Sequence, residues 1–164
     1  MRKMLVAGCL TALLAGAAVA GDMAEGGDPK AAMMAEMAGC HVCKHMMSHM
    51  ESLGPVMTMD LAQLNDGVAM MHGVSDPAKL EEYRSVSAEM AKAGESCMAF
   101  SDEEASANLC SMCQEIRGAV HAGARLSMGD TAMGDMMVIT SEDPAVQKQI
   151  SAMAEKCAMM MESM

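Results

Sequence analysis

Apolar residues recur at spacings of three and four along most of the chain, which is the pattern of amphipathic helices. Asp-Pro dipeptides mark three helix starts, and Ser101 with Glu104 fits a capping box. Strand-like alternation of β-branched residues is not evident. The pattern therefore predicts an all-α fold, a helical bundle. Its four main helices are expected at 29–52, 77–100, 102–127 and 144–163, with two short linking helices near 57–72 and 130–140.

The two halves of the chain contain the same signals in the same order. Each has a CxxC motif, a pair of methionines, an Asp-Pro dipeptide and a closing cysteine. This order indicates a duplicated helical-hairpin unit. We therefore expect repeat one at 29–100 and repeat two at 101–164, which together form a bundle domain at 29–164. A flexible N-terminal segment at 21–28 would precede it.

Residues 1–20 have the features of a secretory signal peptide. Arg2 and Lys3 are followed by an apolar stretch and by Ala18-Val19-Ala20, an A-x-A cleavage signal. The sequence around Cys9 also resembles a lipoprotein box, so lipidation of Cys9 stays open. We expect a periplasmic or secreted protein that is not inserted in a membrane after cleavage.

The composition is dominated by sulfur. The 164 residues include 25 Met and 7 Cys but one Tyr, one Phe and no Trp. Thioethers and thiolates are soft ligands that suit monovalent copper. The net charge of −11 makes nucleic acid a poor partner and metal ions good ones. No nucleophile, base and orienting group stand at a recognisable spacing, so we do not expect an enzyme.

The cysteines are the main candidate ligands. A pair at i and i+3 shares one helix face, so each CxxC motif can converge with a closing cysteine on one ion. This predicts two triads, one made of Cys40, Cys43 and Cys97 and the other of Cys110, Cys113 and Cys157. The expected ion is Cu(I), with Ag(I) or Zn(II) as alternatives. Six cysteines in an exported chain also fit a disulfide framework, and the alternative function is a metal-free thiol redox, chaperone or interaction role.

Methionines and histidines supply further candidate ligands. The expected secondary donors are Met47, Met50, Met98, Met153 and Met159. His41, His45 and His49 stand at i, i+4 and i+8, which would place them on one helix face as an entry or divalent site. His72 and His121 are isolated and are not expected to bind metal.

The inward-facing cysteines on a duplicated bundle resemble the exported four-helix copper storage proteins. The run from His45 to Met50 is similar to segments of periplasmic Met- and His-rich copper or silver binding proteins. These resemblances imply buffering or detoxification of copper, or its delivery to a copper exporter or a copper enzyme.

Overall fold

The computed structural model describes the backbone of residues 29–162 and the side chains of residues 31–158. The predicted signal peptide, Cys9 and the segment 21–28 lie outside the described residues. The side chain of Met159 lies outside them as well, although its backbone belongs to the last helix.

The protein is a mixed α/β structure, so the expectation of an all-α bundle is wrong. Four strands form one antiparallel sheet in the order β1-β2-β4-β3. The strands are β1 (Met57–Gln63), β2 (Gly67–Val74), β3 (Arg125–Thr131) and β4 (Gly134–Thr140). The two segments predicted as linking helices are therefore β-hairpins.

The described residues also contain seven α-helices. They are α1 (Pro29–Gly39), α2 (Lys44–Met47), α3 (Met50–Leu53), α4 (Leu80–Cys97), α5 (Asp102–Asn108), α6 (Ser111–His121) and α7 (Pro144–Glu162). Of these helices, α4 and α7 pack against the sheet. Short 3₁₀ turns cover Gly54–Val56 and Pro77–Lys79. In the described part of the chain, no helix has both the length and the apolarity needed to cross a membrane.

The first hairpin explains why the helical expectation failed. In β1, partly buried residues at 57, 59 and 61 alternate with exposed residues at 58 and 60, which is the period of a strand. The turn consists of Asn65 and Asp66, both common turn residues, and the Leu64 amide donates to the Gly67 carbonyl at 2.9 Å. A Cβ at Gly67 would lie 1.9 Å from the carbonyl oxygen of Ile139, so the pairing of β2 with β4 requires glycine there.

The central strands hold the core against α7. Val68 and Ile139 are opposite one another in the β2–β4 register, and both are fully buried. They cluster with Val146, Ile150 and Met153 of α7. Burial of such side chains contributes about 1.5–3 kcal/mol each, so this cluster fixes the two hairpins and α7 relative to each other.

The predicted helices at 29–52 and 102–127 are each interrupted at a CxxC motif. The first becomes α1, α2 and α3, and the second becomes α5 and α6 followed by β3. Because of these interruptions, Cys40, Cys43 and Cys110 do not lie within a helix. Both motifs can then turn toward the same point in the core.

Candidate metal centre

Each CxxC motif forms a single backbone turn. The amide of the residue after the second cysteine donates to the carbonyl of the first cysteine, at 3.0 Å from Lys44 to Cys40 and at 3.0 Å from Gln114 to Cys110. Such a turn brings the two sulfurs of a motif to one side. Cys110 is also the N-cap residue of α6, and Cys113 lies in the first turn of that helix.

The two motifs lie side by side although 66 residues separate Cys43 from Cys110. The His41 amide donates to the Asn108 carbonyl at 2.7 Å, which joins the segments that carry the motifs. The Glu36 carboxylate on α1 accepts a hydrogen bond from the Ser111 amide at the start of α6. A carboxylate at a helix N-terminus is electrostatically favourable, so this contact also holds α1 against α6.

Four sulfurs converge where the motifs meet. The Sγ atoms of Cys40, Cys43, Cys110 and Cys113 all lie within 4.8 Å of one another. The Cys43 sulfur is 3.6 Å from that of Cys113 and 3.7 Å from that of Cys110. A tetrahedral ion with metal–sulfur bonds of about 2.3 Å requires sulfurs about 3.8 Å apart. The cluster is therefore close to the size that a four-coordinate ion needs.

This cluster is shielded from solvent. Cys40 is 1 % exposed, Cys110 is 3 % exposed and Cys43 is 7 % exposed, while Cys113 is partly buried. Leu109 and Ala105 belong to the same buried cluster, and Phe100 packs against it. Thiolates buried away from water need a cation to balance their charge.

Hydrogen bonds among the four thiols divide them into two pairs. Bonds from Cys110, Cys113 and Cys43 hold the pKa of Cys40 well below its usual value, and a bond from Cys113 lowers the pKa of Cys110. The bond to Cys110 raises the pKa of Cys43 and also that of Cys113. Binding of a metal ion by all four sulfurs requires the loss of their thiol protons.

The other two predicted cysteine ligands lie elsewhere in the core. Cys97 belongs to the same core cluster as the four sulfurs, but its thiol donates to the Gly94 carbonyl at 3.0 Å. Cys157 lies in the core beneath the sheet, and its sulfur contacts the Met112 sulfur at 3.6 Å. Burial raises the pKa of both thiols. The structure therefore brings the two motifs together in one group instead of forming two triads.

The predicted methionine donors are widely dispersed. Met98 packs against the four-cysteine cluster, whereas Met50 packs beside α4 and Met153 lies beneath the sheet. Met47 is partly buried and belongs to none of the three core clusters in the described residues. Met37 and Met112 also pack against the cysteines, and the predicted set missed both. The position of Met112 inside the second CxxC motif was the available signal.

The three histidines predicted to share one helix face each contact a different residue of α4. The contacts are His41 Nε2 with Ser96 Oγ at 3.0 Å, His45 Nδ1 with Glu89 Oε2 at 3.1 Å and His49 Nδ1 with Glu82 Oε1 at 3.1 Å. Within the described residues, the one group of three or more potential His, Cys, Asp or Glu ligands is the four-cysteine cluster. The histidines thus hold the segment 41–49 against α4 and do not converge on an ion.

The two isolated histidines also have protein partners. His121 Nε2 lies 3.2 Å from the Met98 carbonyl, and His72 Nδ1 lies 3.7 Å from Asp135 Oδ1. Asp135 accepts further hydrogen bonds from the Tyr83 and Ser87 hydroxyls. Burial alone would raise the pKa of Asp135, but these contacts hold it below its usual value.

Comparison of the chain with protein-family models, curated proteins and solved structures gives no match. The functional argument therefore depends on the chemistry of the cluster itself.

Proposed function

We propose that this protein binds one thiophilic metal ion between its two CxxC motifs. The observation that carries the proposal is the convergence of four cysteine sulfurs within 4.8 Å in a buried part of the core. Four soft ligands with no competing oxygen or nitrogen donors are typical of sites for zinc, monovalent copper and iron–sulfur centres.

Divalent zinc is the ion that the geometry favours. Sulfur separations of 3.6 and 3.7 Å are close to the edge of a zinc–thiolate tetrahedron. Four thiolates around a divalent ion leave a charge of about −2, against about −3 around a monovalent ion, and buried net charge is unfavourable. The Arg117 guanidinium does not balance this charge, because it is paired with Asp102 and donates to the Phe100 carbonyl.

Monovalent copper is the second candidate, favoured by the sulfur-rich surroundings. Met37, Met98 and Met112 pack around the four cysteines. Their thioethers are neutral soft donors that need no deprotonation. Silver has the same preference for sulfur.

We propose that the protein retains its ion, as in buffering or detoxification, because three of the four ligands are at most 7 % exposed. Delivery to a copper exporter or a copper enzyme would require the cluster to open. A periplasmic or secreted location fits the leader-like residues 1–20, and oxidation of the thiols would compete with metal binding there.

The test is a titration of the reduced, metal-free protein with Zn(II) and with Cu(I), each against a chromophoric chelator. We expect one Zn(II) per chain in the wild type. Cys43→Ser and Cys110→Ser should each lose most of the affinity, because three thiolates remain.

Cys157→Ser is the matched control, since it removes a buried thiol outside the cluster. It should bind one ion with unchanged affinity. Substoichiometric binding by the wild type, or equal loss in all three variants, would refute the four-cysteine site. If the affinity for Cu(I) greatly exceeds that for Zn(II) and depends on Cys43 in the same way, the ion of this site would be assigned as copper instead of zinc.

A further inference from the structure

We propose that oxidation of the metal-free protein links the two CxxC motifs to each other, through a disulfide between Cys43 and Cys113. The usual alternative, in which each motif closes on itself, is not the product that the structure favours. The metal-competition part of this inference rests on the proposed function, while the disulfide pairing does not.

Sulfur contacts determine the pairing. The Cys43 sulfur lies 3.6 Å from the Cys113 sulfur and 3.7 Å from the Cys110 sulfur, both in the other motif. A disulfide needs the sulfurs about 2.05 Å apart, so each gap must close by about 1.6 Å. Cys43 can therefore pair with either cysteine of the second motif.

Access selects Cys113 as the partner of Cys43. Cys113 is partly buried, whereas Cys40, Cys43 and Cys110 are buried. Thiol–disulfide exchange requires contact between a protein thiolate and a sulfur of the oxidant. Because Cys113 is the most exposed residue of the four, we expect a small-molecule disulfide to react there first.

The reaction proceeds in two exchange steps. The Cys113 thiol gives up its proton, its sulfur attacks a small-molecule disulfide, a protein–oxidant mixed disulfide forms, and one small thiolate leaves. The Cys43 thiol then gives up its proton, its sulfur attacks the Cys113 sulfur, the bond between the two cysteines forms, and the second small thiolate leaves. The two protons lost by the cysteines are taken up by the two small thiols, and the protein loses two electrons.

The disulfide and the metal exclude each other, because Cys43 and Cys113 would supply two of the four ligands. Oxidation of the loaded protein would therefore release its ion. The new bond would join the same two segments that the ion had joined. The site would have two closed states, one held by metal under reducing conditions and one held by a disulfide under oxidising conditions.

Peptide mapping tests the pairing. Reduced, metal-free full-length protein is treated with a limiting amount of oxidised glutathione, the remaining thiols are alkylated, and trypsin is added. Cleavage after Lys30, Lys44, Lys92 and Arg117 gives peptides 31–44 and 93–117. We expect these two peptides to be joined, with Cys40 and Cys110 alkylated.

Two single variants and a control sharpen the result. Cys110→Ala and Cys97→Ala should keep the cross-link, and Cys113→Ala should lose it. A bond between Cys40 and Cys43 within peptide 31–44, or a cross-link that survives Cys113→Ala, would overturn the proposal.

A second arm follows the zinc-loaded protein with a chromophoric zinc indicator during oxidation. One equivalent of zinc should be released per disulfide formed, and unchanged zinc retention in the cross-linked protein would overturn the exclusion. A chain that forms the cross-link but binds no metal would refute the proposed function alone. A chain that binds metal but closes each motif on itself would refute the pairing alone.

Discussion

Replacement of Cys43 by alanine should abolish the stabilisation of this protein by zinc. Cys43 is 7 % exposed and contacts both cysteines of the second motif. Its loss leaves three thiolates and opens the link between the two halves. In the metal-free protein the same substitution removes one buried thiol, which we expect to cost about 1 kcal/mol.

The magnitude follows from mass action. Free zinc at 1,000 times the dissociation constant stabilises the folded state by about 4 kcal/mol. Unfolding of roughly 130 residues at about 2.1 cal/mol/K per residue gives an entropy of about 0.27 kcal/mol/K, so the melting temperature should rise by about 15 °C. At the same free zinc, Cys43→Ala should rise by no more than a few degrees.

The assay is thermal unfolding followed by circular dichroism, under reducing conditions and in a zinc buffer of fixed free concentration. Cys97→Ala is the matched control, since Cys97 is a buried thiol of the same core cluster. It should keep the full rise. If Cys97→Ala lost the rise and Cys110→Ala kept it, the triad of Cys40, Cys43 and Cys97 would be the metal site and the four-cysteine account would fail.

Three further predictions concern the fold that holds the cluster. Lys79, His49 and Ser52 lower the pKa of Glu82 from 4.5 to about 2. Because the pKa of Glu82 is lower in the folded state, the wild type should be more stable than Glu82→Gln. This difference in unfolding free energy, measured by urea unfolding, should be complete above about pH 4.5 and vanish as the pH falls toward 2. A difference that grows on acidification would contradict this. Ser101→Ala removes the capping box of α5 and should cost about 1 kcal/mol in urea unfolding, whereas Ser127→Ala on an exposed strand position should be nearly neutral. Ile139→Ala should cost about 2–5 kcal/mol, because Ile139 is fully buried between the sheet and α7, and a cost below 1 kcal/mol would argue against this packing.

Helix starts were predictable because their signals are local. The Asp76 side chain accepts from the Ala78 amide at 2.9 Å and the Asp143 side chain accepts from the Ala145 amide at 2.8 Å, as the Asp-Pro pattern indicated. The capping box of Ser101 and Glu104 is also present. Each of these contacts spans three residues or fewer, so sequence spacing is sufficient to identify it.

The sheet was not predicted because its strands are rich in methionine, which does not mark a strand in the sequence. Met57, Met59, Met70 and Met71 occupy strand positions without the β-branched or aromatic side chains that usually mark them. The pairing of Met70 with Met137 joins residues 67 apart, and no local pattern specifies it. The adjacent turn residues Asn65 and Asp66 were the clearest signal available for the first hairpin.

The residues that form the candidate metal centre were only partly predictable from the sequence. The cysteines of both CxxC motifs were singled out as candidate ligands, and the structure brings these four sulfurs together in the core. Their grouping depended on the helix model, in which each motif meets the closing cysteine of its own half. Because the chain turns at each motif, the motifs meet each other instead. The duplicated unit stays a prediction, although the two halves share an order of CxxC motif, hairpin and helix.

X-ray absorption at the metal edge of the loaded protein tests the central claim most directly. The account predicts one ion per chain, four sulfur neighbours at about 2.3 Å and no nitrogen or oxygen in the first shell. A first shell that contains histidine nitrogen, or only two sulfurs, would contradict the four-cysteine centre.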